Sequence, residues 1–267
     1  MSETIVSGET ENGEAPRKVK LAAVSYLNTR PLIAALENGA VPGYEVTRDV
    51  PSRLPEKVQS GEADFGLLPM GYCAWHPELT LAPGVGIACR GPVRSILLLT
   101  RGMVRDARRI AATNTSMSSV AMLRLLLKHH FGSGAELTSS GEPVSMMEAG
   151  DVDGALLIGD PALQVDAGQY RTYDLGEEWF RFSGLPFVFA MWAGPDAGLA
   201  ERVTPDLVQA MRLGRTAIPS LAEDAAVELG LPPGFCEDYL TNYIIHDVGD
   251  AEMEGYALFK KLLRSGS

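Results

Sequence analysis

The chain has 267 residues, 46% hydrophobic and 21% charged, which is enough for one large α/β domain or two smaller ones. Its 23 lysines and arginines against 34 aspartates and glutamates give a net charge of −11. This balance argues against nucleic acid as a partner, which needs a basic surface, and against a polybasic membrane anchor. The densest apolar run, 95–100, is only as long as a strand, so no membrane-spanning helix is expected.

Residues 1–17 are predicted to form a disordered acidic tail, because they are polar and lack the basic and apolar regions of a secretory signal. The three cysteines, Cys73, Cys89 and Cys236, are odd in number and far apart. Such spacing is typical of reduced thiols rather than of a disulfide framework. Both features favour a cytoplasmic location.

Two similar units follow each other along the chain. The first has an apolar strand at 19–24, a helix from Arg30 to Asn38, a helix ending at Gly61 and a buried strand at 64–68. The second unit repeats this order with a strand at 109–112, a helix from Thr115 to Gly132, a helix ending at Gly150 and a strand at 154–158. Segments 21–25 and 60–68 match segments 110–114 and 149–157 at one constant offset of 89 residues. This repeat predicts two related supersecondary units, and the alternation of strand and helix predicts parallel α/β sheets.

The second unit is predicted to be inserted into the first. Apolar strands at 96–100 and 187–192 bracket it, and residues 195–267 have a helical pattern. We therefore expect an α/β fold with two lobes: lobe 1 comprises 18–103 and 190–267, and lobe 2 comprises 104–189. Open parallel sheets bind ligands beyond the carboxyl ends of their strands, so a ligand cleft is expected between the lobes.

Common chemical motifs are absent from the sequence. The four histidines and three cysteines have no metal-ligand spacing, and there is neither a serine-hydrolase elbow nor a dinucleotide fingerprint. Neither a metal nor an organic cofactor is expected.

Neutral hydrogen-bonding residues follow the first strand of each unit. The first group runs from Ser25 through Tyr26 and Asn28 to Arg30. In the second group, 113–119, six of seven residues are Ser, Thr or Asn. Helix capping needs only one or two such residues, so this group favours an anion site at a helix start. For Asn28 and Arg30, ligand contacts and an ordinary turn remain equal alternatives.

Three further residues are candidates on position alone. Asp160 follows a buried strand, where it could transfer a proton or cap a turn. Ser95 precedes the strand at 96–100 and is a weaker candidate for the cleft. Its neighbour Arg94 is either a surface cation or an anion clamp.

The segment 24–32, Val-Ser-Tyr-Leu-Asn-Thr-Arg-Pro-Leu, closely resembles the opening signature of the chorismate dehydratases of the futalosine route to menaquinone. Segments 64–69, 115–127, 157–160 and 184–190 support the resemblance, which covers about 18–265. It implies the type II periplasmic-binding-protein fold, with two α/β lobes and a discontinuous first lobe. It also implies that water is eliminated from chorismate without a cofactor, to give 3-[(1-carboxyvinyl)oxy]benzoate.

The resemblance leads to a hypothesis for the site. The helix start binds one substrate carboxylate with help from Ser95, through four residues: Thr115, Ser116, Ser118 and Ser119. Asn28 contacts the substrate near the departing hydroxyl or the proton being removed. Ser25 is a further substrate contact, Tyr26 and Phe187 pack near the ring, and Arg30 supports the loop. The base is either Asp160 or the substrate's own enolpyruvyl carboxylate.

Three alternatives remain open. A 1,4-dihydroxy-6-naphthoate synthase has a similar fold but relies on a histidine, and the histidines here are sparse and badly placed. A solute-binding protein for a small carboxylate needs export, and no signal pattern is seen. The effector domain of a transcription regulator is disfavoured because no helix-turn-helix pattern precedes residue 18. The sequence does not predict an oligomeric state.

Overall fold

The computed structural model describes residues 17–113 and 116–265. The predicted tail, except Arg17, and Thr115 lie outside the described residues. Within them, ten strands are numbered along the chain: β1 (Val19–Val24), β2 (Tyr44–Asp49), β3 (Phe65–Pro69), β4 (Thr80–Cys89), β5 (Ile96–Thr100), β6 (Arg109–Thr113), β7 (Glu136–Ser140), β8 (Gly154–Ile158), β9 (Arg171–Asp174) and β10 (Phe187–Gly194).

The same residues form eleven α-helices: α1 (Arg30–Glu37), α2 (Leu54–Gln59), α3 (Met70–Cys73), α4 (Met117–Leu126), α5 (Pro143–Ala149), α6 (Asp160–Gln164), α7 (Leu175–Ser183), α8 (Ala197–Thr216), α9 (Ile218–Leu229), α10 (Pro233–Asp238) and α11 (Asp250–Ser265). Two π-helical segments, Leu127–Phe131 and Tyr239–Tyr243, extend α4 and α10. None of these described helices is both long enough and apolar enough to cross a membrane.

The strands form two sheets of five with the same topology. The first has the order β2-β1-β3-β10-β4 and the second the order β7-β6-β8-β5-β9. In each sheet one strand, β10 or β5, is antiparallel to its neighbours, and the pairs formed by the other strands are parallel. The common order agrees with the internal repeat and with the expected two-lobed α/β fold.

The antiparallel strands correct two expectations. The sheets are not wholly parallel, because each receives a strand from a chain segment that crosses between the lobes. β5 pairs with β8 and β9 in the second sheet, although 96–100 was expected in lobe 1, and all of β10 pairs in the first sheet from Phe187 onward. The lobes therefore exchange at 90–95 and 184–186. Apolar strands buried on both faces carry no signal that identifies their partner sheet.

The first crossing contains a strained turn held by a half-buried carboxylate. Arg94 has a φ of +61°, and the Ser95 N–H donates to the Val93 carbonyl 2.7 Å away, which closes a three-residue turn. Asp174 accepts the N–H groups of Val93 and Arg94 at 2.6–3.0 Å and also caps α7 through Gly176. Burial raises the pKa of Asp174, and these hydrogen bonds oppose that shift. One carboxylate thus joins the crossing to the second lobe.

The C-terminal helices complete lobe 1 by packing closely on it. Gly214 in α8 lies against the first turn of α1, where a Cβ atom would overlap the Pro31 carbonyl. Gly255 in α11 lies in the same way against the Pro186 carbonyl, beside the second crossing. Both helices need a residue without a side chain at the point of contact.

We predict that Gly214→Ala lowers the free energy of unfolding by about 1–3 kcal/mol, because the added methyl group separates α8 from α1. Gly198→Ala is the matched control, since Gly198 is exposed in the same helix and an added Cβ would have only ordinary contacts. This control should be neutral or stabilising by up to about 1 kcal/mol. Urea unfolding measures both, and equal stability of the two variants would contradict the packing described.

Candidate active site

A cleft that is partly open to solvent lies between the carboxyl ends of strands from both sheets. Six of the predicted site residues line it: Tyr26, Asn28, Ser95, Ser116, Ser118 and Ser119. The rest of its lining is mainly apolar: Val24, Pro51, Leu67, Pro69, Ile87, Val93, Ile96, Ile158, Gly159, Phe189 and Ala190. The cleft is therefore an apolar slot with a few polar groups converging on it, as ligand sites commonly are.

The turn that carries Asn28 is held from two sides. It is a 3₁₀ turn, Leu27–Thr29, directly before α1. The Asp160 carboxylate of the second lobe accepts the Leu27 N–H at 2.9 Å. The imidazole Nε2 of His246 lies 2.8 Å from the Asn28 carbonyl oxygen. The turn is thus held by contacts to its backbone, and Asn28 lines the cleft.

The ring of Tyr26 packs closely against the second lobe at Gly159. Gly159 has a φ of +65°, and a Cβ there would lie 2.6 Å from the Tyr26 ring. The glycine is needed for its backbone conformation and for this close approach. The ring of Tyr26 consequently forms part of the cleft wall.

The serines at the start of α4 have two different roles. Ser116 is the N-cap: its hydroxyl accepts the Ser119 N–H at 3.3 Å and donates to the Ser119 hydroxyl at 2.9 Å. Ser118 is buried, donates to the Phe189 carbonyl at 2.9 Å and accepts the Gly71 N–H at 3.0 Å, so its hydroxyl joins the lobes. Ser116 and Ser119 are the hydroxyls of this group best placed to meet a ligand.

Ser95 is buried in the cleft wall just after the strained turn. Its hydroxyl oxygen accepts a hydrogen bond of 2.8 Å from the Tyr239 hydroxyl. Tyr239 and His246 both come from the C-terminal segment and were missed at the level of sequence. The one available signal was polar residues in apolar surroundings, such as His246 after Ile244 and Ile245.

Asp160 lies beside the cleft rather than in its lining. Burial raises the pKa of its carboxyl group, opposed by the Leu27 N–H and by the positive charge of Arg30. One of its oxygens is occupied by the turn of the opposite lobe. The carboxylate therefore holds the Asn28 turn in place.

Three predicted contacts do not reach the cleft. Ser25 is exposed and donates to the Asp49 carbonyl at 3.3 Å. Arg30 pairs with Glu228 on α9. Phe187 is buried among Trp179 and other aromatic rings, and the cleft-lining aromatic residue of β10 is Phe189 instead.

Arg94 is not an anion clamp in this arrangement. Its guanidinium is 3.1 Å from Asp238 and stacks over the Tyr243 ring at 3.8 Å. The described residues contain no group of three or more His, Cys, Asp or Glu side chains suited to a metal ion. Burial raises the pKa of Cys73 to about 12 and also raises those of Cys89 and Cys236, which makes all three poor nucleophiles.

Two α/β lobes joined by two crossings, with a cleft at their strand ends, define the periplasmic-binding-protein class of fold. Solved structures agree: a protein from Archaeoglobus fulgidus superposes with a TM-score of 0.73 at 15% identity, covering 95% of this chain and 99% of that one. The periplasmic aliphatic sulphonate-binding protein of Escherichia coli superposes with a TM-score of 0.64 at 15% identity, covering 94% and 87%. At these identities the likeness shows the fold alone.

The family is narrower than the fold. The model of the menaquinone biosynthesis family matches residues 19–265. The chorismate dehydratase of Thermus thermophilus is 31% identical over 253 residues, covering 86% of this chain and 90% of that protein. The chain belongs to the menaquinone biosynthesis family, and the resemblance first seen at 24–32 is confirmed.

We predict that His246 makes folding sensitive to acid. Burial lowers the pKa of its imidazole from 6.5 to about 4. The unfolded chain binds this proton near pH 6.5 and the folded chain near pH 4, so the folded state loses up to about 3 kcal/mol as the pH falls through that window.

Urea unfolding between pH 7.5 and pH 4 measures this loss. His246→Gln should show a smaller loss, because glutamine keeps a donor for the Asn28 carbonyl but does not titrate. His129→Gln, at an exposed histidine, should keep the wild-type dependence. Parallel curves for wild type and His246→Gln would refute the prediction.

Proposed function

We propose that the chain is a chorismate dehydratase, a hydro-lyase that removes water from chorismate to give 3-[(1-carboxyvinyl)oxy]benzoate. The observation that carries the proposal is the cleft, in a chain 31% identical to a known chorismate dehydratase. The cleft brings together the Asn28 amide of one lobe with Ser95 and the start of α4 on the side of the other. It can hold a small molecule with a hydroxyl and two carboxylates from both sides.

The reaction needs positioning more than a strong reagent. A C–H bond breaks at the carbon that bears the enolpyruvyl ether, a C–O bond breaks at the carbon that bears the hydroxyl, and the proton and hydroxide leave as water. The ring becomes aromatic, so the driving force lies in the substrate. Negative charge that develops on loss of the proton spreads toward the ring carboxylate, where fixed donors stabilise it.

The start of α4 supplies those donors. Its first N–H groups carry the positive end of the helix dipole, and the Ser116 and Ser119 hydroxyls lie beside them in the cleft wall. We assign the ring carboxylate to this position. The apolar walls around it strengthen each electrostatic contact by excluding water.

Asn28 and the aromatic side chains position the reacting carbons. The ring of the substrate fits between Tyr26 and Phe189, whose side chains both line the cleft. The Asn28 amide then lies next to the departing hydroxyl. Because the Asp160 carboxylate lies beside the cleft and is engaged by Leu27, we assign the proton to the enolpyruvyl carboxylate of the substrate itself.

The purified chain should convert chorismate to 3-[(1-carboxyvinyl)oxy]benzoate. Liquid chromatography with mass spectrometry detects the product. Asn28→Ala should lower kcat at least about 100-fold and leave the fold intact, since the Asn28 backbone and not its side chain bonds His246. Asn242→Ala, at an exposed asparagine, is the matched control and should keep wild-type activity. An inactive wild type would overturn the proposed function, and an active Asn28→Ala variant would overturn the assignment of Asn28.

Asp160→Asn separates the two candidate bases. The amide oxygen of the new side chain can still accept the Leu27 N–H, so we expect kcat to stay within about tenfold of the wild-type value. A general base contributes about 10²- to 10⁴-fold, so a loss of that size would assign the proton to Asp160 instead. Steady-state kinetics with chorismate distinguish these outcomes.

A further inference from the structure

Tyr239 lies between two polar residues of the cleft, Asn28 and Ser95, and comes from a distant segment near the C-terminus. It begins the π-helical segment after α10 and is 1% exposed. Its hydroxyl donates to the Ser95 oxygen at 2.8 Å. The side chain of Asn28 lies close enough to the same hydroxyl to lower the pKa of Tyr239, against the larger effect of burial. One hydroxyl thus meets Asn28 from lobe 1 and Ser95 from lobe 2.

The direction of these bonds follows from the single proton of the hydroxyl. Because the hydroxyl gives its proton to Ser95, its oxygen can only accept from Asn28, and the Asn28 group able to donate to it is the Nδ2 amide. The Asn28 Oδ1 atom is then turned away from Tyr239, on the side where the Thr29 hydroxyl donates to it at 3.4 Å. The Ser95 proton needs another acceptor. In this arrangement Asn28 offers the cleft an acceptor, and Ser95 offers it a donor.

Burial keeps the Tyr239 hydroxyl protonated. It raises the pKa of Tyr239 well above its ordinary value, so the hydroxyl keeps its proton across the physiological pH range. The phenol is also held rigidly, because its ring is enclosed by the core of lobe 1.

We propose that Tyr239 is a positioning residue. It orients the Asn28 amide oxygen to hold the hydroxyl of the bound substrate in place before the C–O bond breaks, and it orients the Ser95 hydroxyl to donate to a substrate carboxylate. This inference rests on the proposed dehydration of chorismate. Tyr239 does not line the cleft in this structure and acts through the two residues that do.

The test is Tyr239→Phe, which removes the hydroxyl and keeps the ring. We expect kcat for chorismate to fall about 10- to 100-fold, while KM changes less than about threefold, because binding groups remain and only their alignment is lost. Tyr44→Phe is the matched control. It removes a buried hydroxyl bonded to Asp206 at the opposite end of the first sheet, and should leave kcat unchanged.

A double variant distinguishes positioning from a general loss of stability. If Tyr239 acts partly through Ser95, Tyr239→Phe should lower kcat clearly less in a Ser95→Ala background than in the wild type. A melting temperature above the assay temperature should show that each variant is folded during the assay.

The outcomes distinguish the role inferred for Tyr239 from the proposed dehydration of chorismate on which it rests. A wild type that does not dehydrate chorismate overturns both. An active wild type with Tyr239→Phe at wild-type kcat overturns the inference alone. The same holds if the losses in the double variant simply multiply, or if KM rises while kcat is retained.

Discussion

The half-buried carboxylate of Asp174 makes the hydrogen bonds on which the geometry of the cleft depends. A non-glycine residue with positive φ costs about 1–3 kcal/mol, and Arg94 adopts one directly before Ser95. Hydrogen bonds to a charged acceptor contribute about 1.5–3 kcal/mol each, so the Val93 and Arg94 N–H bonds to Asp174 offset that strain. Since the same carboxylate caps α7, the crossing is fixed to the second lobe. Ser95 is thereby held in the cleft wall.

Most of the polar groups around the cleft serve to join its two sides. Asp160 bonds the Leu27 N–H, Ser118 bonds the Phe189 carbonyl, and Tyr239 bonds Ser95, each across the lobes. An unpaired polar group in such apolar surroundings would cost about 1–3 kcal/mol, so every one of these bonds favours the arrangement of the lobes in this structure. The cleft is consequently assembled from both lobes together, and neither lobe carries a complete set of its polar groups.

The sequence predicted the elements that depend on neighbouring residues. It did not predict which elements pair over long distances along the chain. The repeat, the strand at 64–68 and the helix ends at Gly61 and Gly150 follow from short-range patterns, and the structure has them within a few residues. The exchange of β5 and β10 could not be predicted, because a strand buried on both faces shows no alternation that would identify its sheet. The contacts of Tyr239 and His246 could not be predicted for a related reason. The two residues reach Ser95 and Asn28 only through the return of the C-terminal segment, which no local pattern encodes.

The distribution of charge in the cleft fits a substrate that supplies its own base. The described cleft lining contains no lysine, arginine or histidine, and the nearby cations Arg30 and Arg94 are paired with Glu228 and Asp238. An arginine on the enolpyruvyl carboxylate would lower the pKa of that group and weaken it as a base. Neutral donors at the start of α4 can hold the ring carboxylate, where charge develops, while the other carboxylate stays basic enough to take the proton. In the proposed reaction, the acidic net charge of the chain and an anionic substrate are therefore compatible, because the cleft recognises charge with oriented dipoles rather than with cations.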